Sequence, residues 1–267
     1  MLINKTHPLL EFKNVTVLKG AEHKKVLDSI SLTIHAGENI AILGPNGAGK
    51  SSLIKTITRE YYPIPDGAEV ISRIWGQEVW NVFDLRYLLG IVSNDLQYTC
   101  TREITGYEII LSGFFSSIGL YQERISKTMK QKADQVLAFL EIEHLQDKVM
   151  TEMSSGEARR FLIGRALVHD PKALILDEPT NSLDIHAVHR FRNILRKIAR
   201  SGTSIILITQ HLQDIVPEIS RVVLMKQSRI FMDGKKEEIL TSRNIGKLYD
   251  IAVQIKENNG YYYVVGY

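Results

Sequence analysis

The stretch Gly44-Pro45-Asn46-Gly47-Ala48-Gly49-Lys50-Ser51 has the residue types and spacing to hold a phosphate chain, because it fits G-x-x-x-x-G-K-[ST]. Its glycines let the backbone turn tightly and bring several N–H groups to face one point. A helix starting there adds an N-terminal dipole that favours an anion. Lys50 can reach the β- and γ-phosphates of a nucleotide, and the Ser51 hydroxyl is placed to ligate Mg²⁺; Ser52 is counted with the same binding stretch. A glycine-rich turn could match by chance, but the flanks argue otherwise. Glu38 to Leu43 reads as a strand entering the loop, and Leu53, Ile54 and Ile57 have helical spacing after it.

A second group lies far downstream. Asp177-Glu178 closes the apolar run Ala173-Leu174-Ile175-Leu176. Asp177 can hold the Mg²⁺, directly or through water, as an acid opposite Ser51 would. Glu178 falls one residue outside the strand and can act as general base on a water aimed at the γ-phosphate. Acids at strand ends often serve solvation alone; the phosphate loop upstream is what favours the chemical reading. His211 follows the apolar run Ser204 to Thr209, with Gln210 between. An imidazole there can touch the γ-phosphate and sense hydrolysis, whereas a lone histidine at a strand end is otherwise structural or faces solvent.

The elements that must position these groups are legible in outline. Leu9 to Val17 and Val26 to Ile34 read as strands around a charged loop, so the chain opens with an antiparallel β layer. Tyr61 to Gly67 is turn-rich, Ala68 to Trp75 is an expected strand, and Trp75 and Trp80 are expected to pack rather than bind. Asp84 to Leu89 suggests a short helix leading to strand Gly90 to Ser93. From Asn94 to Arg165 helical spacing takes over, with helices expected over Thr105 to Phe115, over Ser126 to Glu141 (Met129, Val136, Leu137 and Leu140 on one side) and after Glu157. Strands 173–177 and 204–209, separated by a charged amphipathic helix over Ile185 to Arg200, are near-continuous apolar runs of the kind found in a parallel sheet covered on both faces. Ligands bind at the carboxyl ends of such strands, and Gly44, Asp177 and Gln210-His211 all fall at or just past such ends. In the tail, Val222 to Met225 and Arg229 to Met232 read as strands, Lys235 to Tyr249 as mostly helical, and Asn258-Asn259-Gly260 as a hairpin turn whose tyrosines pack on an edge strand.

Composition narrows the class. The chain has 267 residues, 44% hydrophobic and 24% charged, which suits one sizeable globular unit with an inserted subdomain. A net charge of +3 gives no strong reason to invoke nucleic acid or an acidic membrane surface. The single cysteine, Cys100, rules out an internal disulfide and fits a reducing compartment. The amino terminus lacks the apolar core of a signal peptide, and no stretch is long enough to span a bilayer, so a membrane role would need spans from another chain.

The order of motifs resembles one family. Gly44 to Ser51 is followed by Ser154-Ser155-Gly156-Glu157 before a helix, then Leu174-Ile175-Leu176-Asp177-Glu178-Pro179-Thr180, Asn181-Ser182-Leu183-Asp184 and Gln210-His211. The series looks like the nucleotide-binding subunit of ATP-binding cassette (ABC) systems, from about Leu9 to Ile239. The resemblance implies an α/β P-loop NTPase core with a mostly parallel sheet over 9–94 and 166–245. It also implies an inserted helical subdomain over 95–165 and a short carboxy-terminal hairpin over 246–267. It implies an ATPase using ATP and Mg²⁺, in a head-to-tail homodimer or a pseudo-dimer with a related subunit. Each ATP would touch Gly44 to Ser51, Asp177, Glu178 and His211 of one subunit, and Ser154 and Gly156 of the other. A serine hydroxyl, a glycine and a helix N-terminus suit an anion. A separate transmembrane permease is the implied partner, with this chain cytoplasmic and peripheral on the cytoplasmic face of the membrane and no direct nucleic acid, and the short tail resembles that of importers for metal chelates and related oxyanions. Asn94 aligns best with the family's glutamine, with a shorter reach, and Asp95 and Gln97 are nearby alternatives. The usual Leu-Ser-Gly-Gly-Gln reads Met153-Ser154-Ser155-Gly156-Glu157, which puts a negative charge near the facing phosphates. The early adenine-stacking aromatic falls near Leu18-Lys19, where neither residue is aromatic, so adenine would pack on an alkyl stem or on Val26.

Two other functions compete. A soluble ABC ATPase acting on nucleic acid, ribosomes or a regulatory partner predicts a second cassette, a coiled-coil insertion or a basic face, and none is visible. A P-loop kinase or GTPase would leave Ser154 to Glu157 and His211 unexplained.

Overall fold

The computed structural model describes residues 7–65, 67, 69–120 and 124–267. Residues 1–6, from which the absence of a leader was inferred, lie outside it, as do Asp66 and Ala68 of the expected loop and strand. In chain order the elements are β1 (Leu10–Lys19), β2 (Lys24–Ile34), β3 (Ile40–Leu43), α1 (Lys50–Ile57), β4 (Ile71–Ile74), α2 (Val82–Leu88), β5 (Leu89–Val92), α3 (Asn94–Cys100), α4 (Gly106–Ser112) and α5 (Lys127–Leu140). They continue as α6 (Ser155–Leu167), β6 (Ala173–Asp177), α7 (Ile185–Arg200), β7 (Ser204–Thr209), β8 (Arg221–Lys226), β9 (Arg229–Lys235), α8 (Lys236–Ile239), α9 (Ser242–Tyr249), β10 (Gln254–Asn258) and β11 (Tyr261–Gly266). The chain divides into two compact units, residues 1–85 with 204–267 and residues 86–203.

In the first unit, β1 pairs antiparallel with β2 and with β4, giving the expected amino-terminal β layer. β4 starts at Ile71 and ends at Ile74, one residue before the expected end, because the chain turns at Trp75-Gly76, where φ is +45° and +74°. Trp75 is buried with its ring edge-on to Trp80, whose Nε1–H donates to the Ile74 carbonyl, so both tryptophans pack. β3 lies between β7 and β8 and is parallel to both, while β9 returns antiparallel to β8 through Gln227-Ser228, both at positive φ. Every residue of β3 and of β7 is buried, which is why both read as unbroken apolar runs. β10 and β11 form the expected hairpin about Asn259-Gly260, with Tyr262 buried.

The second unit pairs β5 parallel to β6 and surrounds them with helices. α7 buries Phe191, Ile194, Leu195 and Ile198, a single stripe at helical spacing. α5 is capped by Ser126, whose hydroxyl accepts from the Met129 N–H; it buries Ala133, Val136, Leu137 and Leu140 and leaves Met129 half-exposed. The helix expected over 105–115 instead ends at Ser112 and tightens into a 3₁₀ turn over Gly113–Phe115, closed by Ser116 at φ +52°. α6 is buried from Ala158 to Gly164, including Arg159 and Arg160. Cys100 is buried and unpaired. Among the described residues no helix is long and apolar enough to cross a membrane.

Candidate nucleotide site

The first unit carries the phosphate loop. The loop leaves β3 at Leu43 and ends at Gly49, whose φ of +101° only glycine adopts readily and where a Cβ would stand 2.7 Å from the Val26 carbonyl oxygen. The back of the loop is tied down through main-chain hydrogen bonds. The Ser228 N–H donates to the Ala48 carbonyl at 3.1 Å, and the Asp28 N–H donates to the Ser228 carbonyl at 2.8 Å. α1 starts at Lys50 with no side-chain cap and no acid in its first turn, so its leading N–H groups can serve an anion. Lys50 is 5% exposed, and its ammonium donates to the carbonyls of Gly44 (2.7 Å) and Pro45 (3.1 Å), which holds the cation over the loop. Ser51 is exposed, and the Ser52 carbonyl accepts from Thr56 Oγ1 within α1. Leu43 of β3 stands opposite Thr209 of β7, so Gly44 and Gln210-His211 leave neighbouring strand ends. His211 is exposed; its N–H donates to Thr209 Oγ1 at 3.0 Å, and that hydroxyl donates to Asp214 Oδ2 at 2.6 Å. Thr209 and Asp214 are buried, so this turn is fixed from inside.

The second unit brings together the other set. Val92 of β5 stands opposite Leu176 of β6, so Asn94 and Asp177-Glu178 also leave neighbouring strand ends. Glu178 sits at φ +44°, which turns the chain out of the strand line. Its Oε2 accepts from Asn181 Nδ2, and its carbonyl accepts from the Asn181 N–H at 3.2 Å, so the carboxylate is oriented by its own turn. Asp184 caps α7, its carboxylate accepting from the Ala187 N–H at 2.7 Å. Asn94 opens α3, and its Oδ1 accepts from Arg159 Nη2 at 2.6 Å. Arg159 is 2% exposed, and among the described residues its Nε and Nη1 have no hydrogen-bond partner. Burial pulls the guanidinium down to about 10 and the Asp177 carboxylate opposes that, so Arg159 is charged at neutral pH.

The signature segment is a reciprocal cap. Ser154 Oγ accepts from the Glu157 N–H, and Glu157 Oε2 accepts from the Ser154 N–H at 2.8 Å. The same carboxylate oxygen accepts from Lys148 Nζ at 2.9 Å. Burial raises the Glu157 pKa, but the Lys148 and Ser154 hydrogen bonds outweigh it and the net shift is downward. The negative charge noted in the sequence is therefore directed back into the helix cap and paired with a lysine. Gly156 has a packing reason to be glycine, since a Cβ there would stand 2.7 Å from Ala187 Cβ on α7.

Sequence reasoning missed Arg159, Lys148 and the Thr209–Asp214 pair. The Ser154-x-x-Glu157 spacing was a readable capping box. No local pattern signals a buried arginine or a lysine brought in from a preceding loop.

A phosphate loop on a parallel strand, an acid pair at another strand's end and a mostly parallel α/β architecture define a P-loop NTPase. Residues 27–181 match the family model described as "ABC transporter". An ABC transporter ATP-binding protein of Bacillus subtilis, YlmA, is 32% identical over 252 residues, covering 94% of each chain. The hemin import ATP-binding protein HmuV of Bradyrhizobium diazoefficiens is 28% identical over 255 residues, covering 92% of this chain and 91% of its own. The structure of cbiO1 from Clostridium perfringens, part of the ABC transporter complex cbiONQ, superposes with a TM-score of 0.75 at 25% identity, over 90% of this chain and 94% of that one. The chain belongs to the ABC transporter family and is an ATP-binding, ATP-hydrolysing transport subunit. A non-transport ABC ATPase is not favoured.

Proposed function

We propose that ATP is bound by Gly44 to Ser52, hydrolysed with Glu178 as general base, and sensed at its γ-phosphate by His211 and Asn94. The observation that carries this reading is strand register: Leu43 opposite Thr209 and Val92 opposite Leu176 set the loop beside His211 and Asn94 beside Asp177-Glu178. Lys50 and the α1 N-terminus hold the β- and γ-phosphates. Glu178, oriented by Asn181, takes the proton of the attacking water. The Ser51 hydroxyl and the Asp177 carboxylate are hard oxygen donors of the kind Mg²⁺ takes, alongside waters and phosphate oxygens. When bound, the ion would neutralise charge between the β- and γ-phosphates.

A second copy of the chain supplies Ser154 and Gly156 across the nucleotide, in a head-to-tail pair docked on a separate permease at the cytoplasmic face. The capped helix end at Ser154 supports that role, and so does the paired Glu157 charge beside it. Replacing Glu178→Gln tests the base: hydrolysis is expected to fall about 10²–10⁴-fold with ATP binding intact. The variant should accumulate as an ATP-bound dimer in light scattering, and normal turnover would remove Glu178 from the mechanism.

A further inference from the structure

The carboxy-terminal segment touches the His211 turn at both of its ends. Tyr249, the last residue of α9, donates its hydroxyl to the Gln210 carbonyl at 3.0 Å, one residue before the histidine. Lys236, the buried first residue of α8, donates to the carbonyls of Pro217 (3.1 Å), Gly260 (3.3 Å) and Val216 (3.5 Å), and its ammonium lies 6.0 Å from the centre of the Tyr262 ring. Gly260, at φ +79° in the β10–β11 turn, lies so close to Pro217 that a Cβ would stand 2.9 Å from the proline Cβ. The segment 210–217 is thus gripped at residue 210 by α9 and at residues 216–217 by the hairpin turn and Lys236.

Between these grips is a cavity of about 380 Å³ lined by His211, Gln213, Tyr249, Tyr262 and Tyr263 among others. His211 lines this cavity and is exposed. Its position is therefore set by where its backbone is held. The inner hold is the Thr209–Asp214 hydroxyl–carboxylate pair, and the outer hold comes from the tail.

We infer that the carboxy-terminal segment 236–267 is the seat of the histidine that senses the γ-phosphate, with Tyr249 and Lys236 as positioning residues for His211. The inference rests on the role given to His211 under the proposed function. Hairpin and α9 are thereby part of the hydrolytic machinery, and anything that bound the tyrosine-lined cavity would act on turnover rather than on ATP affinity.

Tyr249→Phe in the full chain is the test, because it removes the hydroxyl and keeps the ring packing. We expect kcat for ATP to fall about three- to tenfold, the scale of one hydrogen bond, with KM and Tm unchanged. The His211 ring resonances of the nucleotide-free protein should shift in the same variant. On a His211→Ala background the substitution should cost nothing further. An unchanged kcat, or a loss of the same size on the His211→Ala background, would overturn the inference. If His211→Ala alone turns over ATP normally, the sensing role of His211 fails, while the ring resonances still decide the positioning: an unmoved signal in Tyr249→Phe overturns it, and a shifted one upholds it.

Discussion

The loop at the end of β3 is tied down by main chain, whereas the groups at the ends of β5 and β6 are held by side chains. In the first unit the phosphate loop is tied to Ser228 through amides, and the strand before it, β3, is buried throughout. In the second, Asn94 hangs on Arg159, Glu178 on Asn181, and Ser154 on Glu157 and Lys148. A site built from amides tolerates substitution around it but not within it. A site built from side chains can be retuned by changing one of them, and the departures from the family's usual signature fall in the second kind.

Lys50→Ala gives the largest expected effect, since it removes a buried cation held over the loop. ATP affinity should fall about 10- to 100-fold in calorimetry, from loss of charged hydrogen bonds of ~1.5–3 kcal/mol, with Tm barely altered. Unchanged affinity would break the contrast at its stronger end. Gly156→Ala forces a methyl against Ala187 and should cost about 1–3 kcal/mol in urea unfolding.

Arg159→Met separates holding from stability. Losing a buried, incompletely satisfied charge should leave Tm unchanged or raise it, while turnover falls about tenfold as Asn94 loses its anchor. A fall in both would make Arg159 a structural residue only. The smallest effect is expected for Glu157→Gln, about 1 kcal/mol of stability at neutral pH. The folded carboxylate titrates below its unfolded value, so its contribution is present above the ordinary glutamate range and is lost as pH falls through the lowered folded pKa. Parent and variant should therefore converge in acid, and a difference that grew on acidification would contradict the Lys148 pairing.

Legibility followed the range of the forces involved. The loop, the buried strands, the α7 stripe and the Asn259-Gly260 hairpin are local patterns of glycine, period and apolar run, and each stood where expected. Helix limits near Ser112 depended on the close approach of Gly113 to the Arg165 carbonyl, a contact between residues 52 positions apart that no window reveals. For the site, residue types at strand ends pointed to Asp177, Glu178 and His211. The partners that aim them were only partly visible: Asn181 lies in the same turn as Glu178, but Arg159 reaches Asn94 from another helix, and Tyr249 reaches Gln210 from the far end of the chain. The Ser154–Glu157 cap is legible from its spacing before a helix, but the Lys148 ammonium that pairs the Glu157 charge comes from the preceding loop and is not.

The pairing of β3 has a consequence for how the protein is made. Both of its neighbours, β7 and β8, lie beyond residue 203, and the tie on the loop comes from Ser228. On the ribosome the phosphate loop therefore emerges long before the strands that shape it. β3 stays unpaired, its apolar residues exposed, until residues beyond 203 have been synthesised, while β1, β2 and β4 can already pair with one another.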